Sequence, residues 1–230
     1  MQHILVYSDS LSWGIIPMTR KRLPFEQRWP GALEIALNHA DCHVRVIENC
    51  LNGRRTVWDD PFKPGRNGME GLAQQIEIYS PLALVVLMLG TNDFQSVHSH
   101  QAWHAAQGVA ALINTIRNAP VEPDMPIPTI LVIAPPAIQV SKGNMADKFL
   151  GADKKCKGFA DALLKVCAET NCHFFDAGNI VGSSAIDGVH LDAEQHISLA
   201  QALSAIVKPL LVQTSASIFS KQKSNPKVAF

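Results

Sequence analysis

A chain of 230 residues suffices for one domain that buries about 70% of the surface its unfolded form would expose. Twenty basic and twenty acidic residues cancel, which argues against a polyanion or an anionic membrane as partner. Hydrophobic residues at 47% and charged residues at 17% match an ordinary globular domain, and no apolar run approaches the roughly 20 residues of a membrane span.

Residues 4–7, I-L-V-Y, read as a short strand buried on both faces. No basic stretch, apolar core and cleavage site precede it, so no secretory signal is expected. The five cysteines form no C-x-x-C pair and read as reduced thiols, which gives a cytoplasmic expectation. Ser8, Asp9 and Ser10 follow the strand, where a Ser/Asp turn caps the next helix. Residues 15–27 show no period and read as a loop over the site. Trp29-Pro30 opens a helix with Leu33, Ala36, Leu37 and Ala40 on one face. Val44 and Val46 mark a second strand ending at Glu48. The segment 49–68 is a long loop, and loops of that length are often functional.

A helix over 69–79 leads to residues 82–89, apolar throughout and read as the central strand. Further on, 102–119 reads as a helix, 129–134 as a strand, 141–151 as loop, 153–170 as a helix and 172–175 as the last strand. A helix over 192–211 follows. The domain is taken as 1–212, with 213–230 as a flexible tail. Five alternations of strand and helix predict an α/β fold, a three-layer α/β/α sandwich on a five-stranded parallel sheet with right-handed crossovers.

In such a sheet, reactive groups gather beyond the carboxyl ends of the strands. Four strand ends carry suggestive residues: Ser10; Gly53 in N-C-L-N-G; Asn92 in G-T-N-D; and Asp187-Gly188-Val189-His190. A serine hydroxyl is a poor nucleophile until a histidine takes its proton and a third group orients the ring. Three residues before His190, the Asp187 carboxylate can accept the Nδ1 proton and leave Nε2 as a base.

These stretches resemble the SGNH, or GDSL-type, hydrolase family of esterases and lipases, and within it the arylesterase and acyltransferase branch. The matching segments are S-D-S-L-S-W-G, R-W-P, L-N-G-R-R-T, D-D-P, R-N-G, L-G-T-N-D, A-P-P, F-F-D-A-G and D-G-V-H-L, spread over about residues 4–192. The resemblance implies a flavodoxin-like SGNH hydrolase fold. It implies Ser10 as nucleophile, His190 as base and Asp187 as its orienting acid. It also implies an oxyanion hole from the N–H groups of Ser10 and Gly53 and the side-chain amide of Asn92. The family glycine before the aspartate is Ser8 here, a strain if that position needs positive φ.

The expected reaction is hydrolysis of short-chain aryl or alkyl esters through an acyl-enzyme, with acyl transfer to an alcohol or peroxide as a second outcome. No cofactor and no metal are called for. The expected partner is a small-molecule ester, with no nucleic acid and no membrane. The resemblance also implies a homo-oligomer, with 49–68 as candidate contact surface. Leu11, Trp13, Ile15 and Val189 flank the catalytic residues and are candidate pocket residues. Two rival readings are a metal-dependent hydrolase on His98, His100 and His104, which lacks a completing Cys or acidic ligand, and a non-catalytic binding module that lost its chemistry through Ser8.

Overall fold

The computed structural model describes the backbone of residues 1–223, and side-chain surroundings through residue 212. Strand β1 spans Gln2–Ser8 and runs into a single helical turn, α1, Ser10–Trp13. Helix α2 (Trp29–His39) and strand β2 (Val44–Cys50) follow. Then come α3 (Leu72–Tyr79), β3 (Leu84–Met88), α4 (Ala102–Arg117) and β4 (Thr129–Ala134). The chain ends with α5 (Ala152–Lys155), α6 (Phe159–Glu169), β5 (His173–Asp176) and α7 (Ala193–Lys223). All five strands pair in parallel in the order β2-β1-β3-β4-β5.

The apolar runs explain the layering. On β1, Ile4 and Val6 point to one face while Leu5 and Tyr7 point to the other, and all four are buried. The same alternation holds on β3, with Leu84 and Val86 against Val85 and Leu87. One face packs Ile4, Val6, Leu84 and Val86 with Leu33 of α2 and Leu199 and Leu203 of α7. The other packs Leu5, Val85 and Leu87 with Ile76 of α3, Leu112 of α4 and Leu163 of α6. Both faces are covered, as an all-parallel sheet requires.

Two elements depart from the sequence expectation. The helix expected over 153–170 is split into α5 and α6, because Gly158 takes φ +77°, a left-handed conformation outside a helix. The last helix continues past 211 to Lys223, so the backbone of 213–223 is helical; the rest of the expected tail, 224–230, lies outside the described residues. Among the described residues no helix is long and apolar enough to cross a membrane.

In this strand order the chain leaves β1 in one direction for β2 and returns past it to β3. A crevice opens at that reversal, beyond the carboxyl ends of β1 and β3, which is where ligands bind in open α/β sheets.

Candidate active site

Ser10 is the first residue of α1, just past the end of β1, and is buried. Asp9 caps this turn, its Oδ1 accepting the Leu11 N–H at 2.9 Å. Ser8 closes β1 in regular register with Cys50 and Met88, and its φ is not positive. The glycine position of the family therefore needs no glycine freedom in this chain. The Ser8 hydroxyl instead joins a buried relay. Trp29 Nε1–H donates to Ser12 Oγ at 3.0 Å, Ser12 Oγ lies 2.6 Å from Ser8 Oγ, and Ser8 donates to the Met88 carbonyl at 2.6 Å. Every polar atom in the relay has a partner, so the serine is accommodated without an orphaned group.

The loop after β5 delivers the imidazole. Gly188 adopts φ +79°, and a Cβ there would meet the Val140 carbonyl oxygen at 2.6 Å. Only glycine allows both the turn and that close approach. Segment 139–142 clamps the loop, with Gln139 N–H donating to Gly188 O at 2.8 Å and Lys142 N–H to Asp187 O at 3.0 Å. Ser184 N–H holds the His190 carbonyl at 2.7 Å.

His190 Nε2 lies 3.2 Å from Ser10 Oγ, and His190 Nδ1 lies 2.6 Å from Asp187 Oδ2. The other Asp187 oxygen accepts the N–H groups of Val189 and His190, each at 2.9 Å. Burial works against the Asp187 charge, but the imidazole and these N–H donors outweigh it and hold the carboxyl below the ordinary range. An ionised Asp187 fixes the proton on Nδ1 and leaves Nε2 facing the serine as acceptor. Hydroxyl, imidazole and carboxylate are thus in line, although 180 residues separate the first two.

Asn92 sits in a short 3-10 turn, Thr91–Phe94, at the end of β3. A chain of donors sets its orientation. Arg55 can only donate, and its Nη2 meets Gln95 Oε1 at 2.7 Å. Gln95 must therefore present Nε2 to Asn92 Oδ1, also at 2.7 Å. That leaves Asn92 Nδ2 toward Asp9 Oδ2 at 2.9 Å and the Arg54 carbonyl at 3.1 Å. Gly53, at φ +85°, lines the same cleft. Among the described residues, neither the Ser10 nor the Gly53 backbone N–H meets an acceptor. Two N–H groups without an acceptor and an amide thus line the cleft that holds Ser10, where an oxyanion would compete with the Arg54 carbonyl for one Asn92 proton. A charged acceptor wins that competition over a neutral one.

Two fully buried carboxylates support this wall. Asp9 is pushed up to about 6 by burial, against the Leu11 N–H, the His190 charge and the Asn92 amide. Asp93 is pushed up to about 7 by burial, against its hydrogen bonds from the Thr56 hydroxyl and N–H.

The cleft at Ser10 has a volume of about 80 Å³. Of the four expected pocket residues, Ile15 lines it. Leu11 and Val189 lie in the hydrophobic core on opposite faces of the sheet and do not line the cleft. Trp13 also does not line it; its ring packs under the Arg22 guanidinium, 5.0 Å from the centroid. Adjacency in sequence misleads here, since neighbours on a helical turn point about 100° apart. Met145 and Phe149 supply the apolar wall instead, from the segment read as loop. The sequence reading also missed Gln95 and Arg55, which orient Asn92; the three-residue step from Asn92 to Gln95 was the available signal. A larger cavity of about 650 Å³ lies beside β4 and β5 and contains none of Ser10, Asp187 and His190.

The histidines of the metal reading are placed elsewhere. His98 and His100 stack at 4.6 Å, His100 packs on Trp58 at 4.1 Å, and His104 Nδ1 accepts the Gln101 N–H at the start of α4. Among the described residues no three His, Cys, Asp or Glu side chains are grouped to hold a metal ion.

Known proteins resemble this chain in sequence and fold. The model of the GDSL-like lipase/acylhydrolase family matches residues 9–197. No curated protein matches the chain. Among solved structures, Est24, a carbohydrate acetylesterase from Sinorhizobium meliloti, is 32% identical with a TM-score of 0.86, covering 91% of this chain and 100% of that one. The aryl esterase of M. smegmatis is 30% identical with a TM-score of 0.86 over the same shares. A carbohydrate acetylesterase family member from Sinorhizobium meliloti is 33% identical, with a TM-score of 0.85 and shares of 92% and 99%. The chain belongs to the GDSL-like lipase/acylhydrolase, or SGNH, family and is a carboxylic ester hydrolase.

Proposed function

We propose that the chain hydrolyses esters of short acyl groups through an acyl-enzyme on Ser10. The observation that carries this reading is the line of Ser10 Oγ, His190 and Asp187 at 3.2 and 2.6 Å, opening into a cleft of only about 80 Å³. Ser10 Oγ attacks the ester carbonyl while His190 Nε2 takes its proton. The C–O bond to the alcohol breaks, and His190 returns the proton to the departing oxygen. The carbonyl oxygen, anionic in between, is held by the N–H groups of Ser10 and Gly53 and by Asn92. Water activated by His190 then releases the acid.

The small cleft supports acetyl and similarly short acyl groups. Asn52 Oδ1 is buried at this site without a donor, which supports a substrate bearing a hydroxyl. Ile15, Met145 and Phe149 give one wall few partners for water, which supports acyl transfer to an alcohol or peroxide as a competing fate of the same intermediate. Five free thiols support a reducing, cytoplasmic setting. Exposed Phe62, Trp103 and Ile127 support self-association, which size-exclusion chromatography reads directly.

A panel of aryl esters from acetate to octanoate tests the reading. The expected result is kcat/KM greatest at acetate or propionate and falling steeply beyond butyrate. Equal rates along the series would contradict the short-acyl assignment.

A further inference from the structure

Three cations stand at the mouth of the catalytic cleft without a counter-ion. Arg20, Lys63 and Lys148 line the same space as Ser10 and His190. They come from three separate loops, and none has an ion pair or an acceptor for its charged atoms among the described residues. Lys148 has only the Phe149 ring, 5.8 Å from Nζ. Other cations nearby are spoken for. Lys155 Nζ donates to the Gln95 and His98 carbonyls at 2.9 and 2.8 Å, and Arg66 donates to the Asn52, Pro64 and Gly65 carbonyls.

The one carboxylate lining the cleft is Asp60, and the fully buried Arg55 takes it at 2.7 Å. With Asp60 offset by Arg55, Arg20, Lys63 and Lys148 remain as three exposed cations lining the cleft, the two lysines still drawn to Asp60. The three feel one another: burial lowers the Lys148 pKa first, and Arg55, Lys63 and Arg20 lower it further against Asp60. Lys63 is lowered by burial and then by Arg66 and Arg20, against Asp60. Holding like charges together costs free energy, and an anion placed among them relieves that cost.

The cleft also continues. Asp60, Lys63 and Lys148 are shared with an adjoining hollow of about 490 Å³, lined further by Phe62, Gln95 and the exposed Asp147. The small cleft has room for a short acyl group, so the hollow is where the larger half of an ester fits. Lys63 and Lys148 stand between the two spaces.

We infer that this mouth selects esters whose alcohol half carries an anionic group, held by Arg20, Lys63 and Lys148. The inference rests on the esterase reading and adds the charge of the substrate to it. Carboxylate and sulfate share the chemistry, since each offers oxygen acceptors and negative charge to ammonium and guanidinium donors.

The test compares 3-carboxyphenyl acetate, 3-sulfophenyl acetate, neutral 3-carbamoylphenyl acetate and cationic 3-(trimethylammonio)phenyl acetate. Each kcat/KM is divided by that ester's hydroxide-catalysed rate, which removes differences in leaving-group reactivity. At low salt the expected order is anionic above neutral above cationic, with at least about a tenfold step between anionic and neutral. The two anionic arms show which oxyacid is preferred. The anionic-to-neutral ratio should shrink toward one in about 1 M salt, where the screening length is about 3 Å. It should also fall toward one in Lys63→Gln/Lys148→Gln, with Arg20→Gln as an independent variant if the double change does not fold. A ratio near one for the wild type at low salt, or a ratio that survives both salt and the variants, overturns the inference while leaving the esterase reading intact. No turnover of any of the esters by folded protein overturns the esterase reading, and the inference with it.

Discussion

His190 has a carboxylate at one ring nitrogen and a hydroxyl at the other. His98 and His100 have rings against their faces, and His98 Nε2 and His100 Nδ1 are buried without any partner. Both regions place histidines close to acidic residues in sequence, and both are partly closed from solvent. The difference is in what the backbone does. Around His190, Gly188 turns the chain sharply enough to put a carboxylate in the plane of the ring three residues away. The chain also turns at 95–98, but among the described residues no carboxylate reaches the buried nitrogen of His98 or His100. Burial, with Arg55 and His100 adding to it, pushes His98 down to about 4, so the ring stays neutral. A paired imidazole can take and return a proton, whereas an unpaired stacked one is packing.

Substitutions at the paired site should give the largest effects. Ser10→Ala and His190→Ala are expected to lower kcat by up to about a million-fold, the scale for members of such a unit. Asp187→Asn should cost about ten-thousand-fold, because the wrong tautomer would face the serine. Asn92→Ala is expected to lower kcat by about 100- to 1,000-fold on aryl acetates, or about 2.7–4 kcal/mol. It also leaves Asp9 Oδ2 and Gln95 Nε2 without a buried partner, so a loss of about 1–3 kcal/mol in unfolding free energy should accompany it. An unchanged rate would remove Asn92 from the site.

The contrast has a pH signature in stability. Between pH 3.8 and about 6 or 7 the native chain keeps protons on Asp9 and Asp93 that the unfolded chain has released. Their contribution to stability therefore falls as pH rises through that window. His98 and His196 act in the opposite sense. Below 6.5 the unfolded chain takes protons that these buried rings refuse down to about 4, so their contribution falls as pH drops. The two sets offset each other. Asp93→Asn removes one of the two carboxylate contributions, so its Tm should climb more steeply than that of the wild type from about pH 4.5 to 6.5. Parallel curves would show that Asp93 is ionised in the native chain. The smallest effect belongs to the stack. His100→Phe keeps the aromatic contact with Trp58, removes an unpaired buried nitrogen and gives up the ring's bond to the Asp93 backbone, so kcat/KM should stay within about twofold and Tm should change little. A large loss of activity would show that the stack takes part in the chemistry.

The centre of the sheet could be read from the sequence because β1, β3 and β4 are buried on both faces and spell apolar runs, as at 82–89, whereas the edge strands β2 and β5 are only partly buried. Ser10 and Asn92 could be singled out because each follows such a run, and Gly53 and the Asp187–His190 pair because each lies in the loop after a strand. The break between α5 and α6 could not, since the apolar spacing runs on across Gly158 and only the backbone angle there interrupts it. Nor could the wall of the cleft. Leu11 and Val189 sit beside Ser10 and His190 in sequence but turn into the core, while Met145 and Phe149 arrive from a polar segment. Arg20, Lys63 and Lys148 are single charges in three distant loops, and only the folded chain shows that they meet.

The central claim is that Ser10 is made nucleophilic by His190. Treatment with a fluorophosphonate, followed by intact mass and peptide mapping, tests it most directly. The account predicts one adduct per chain, on Ser10, with labelling abolished in folded His190→Ala. Folded wild-type protein that turns over aryl acetates yet carries no adduct on Ser10, or a His190→Ala variant labelled at the wild-type rate, would contradict it.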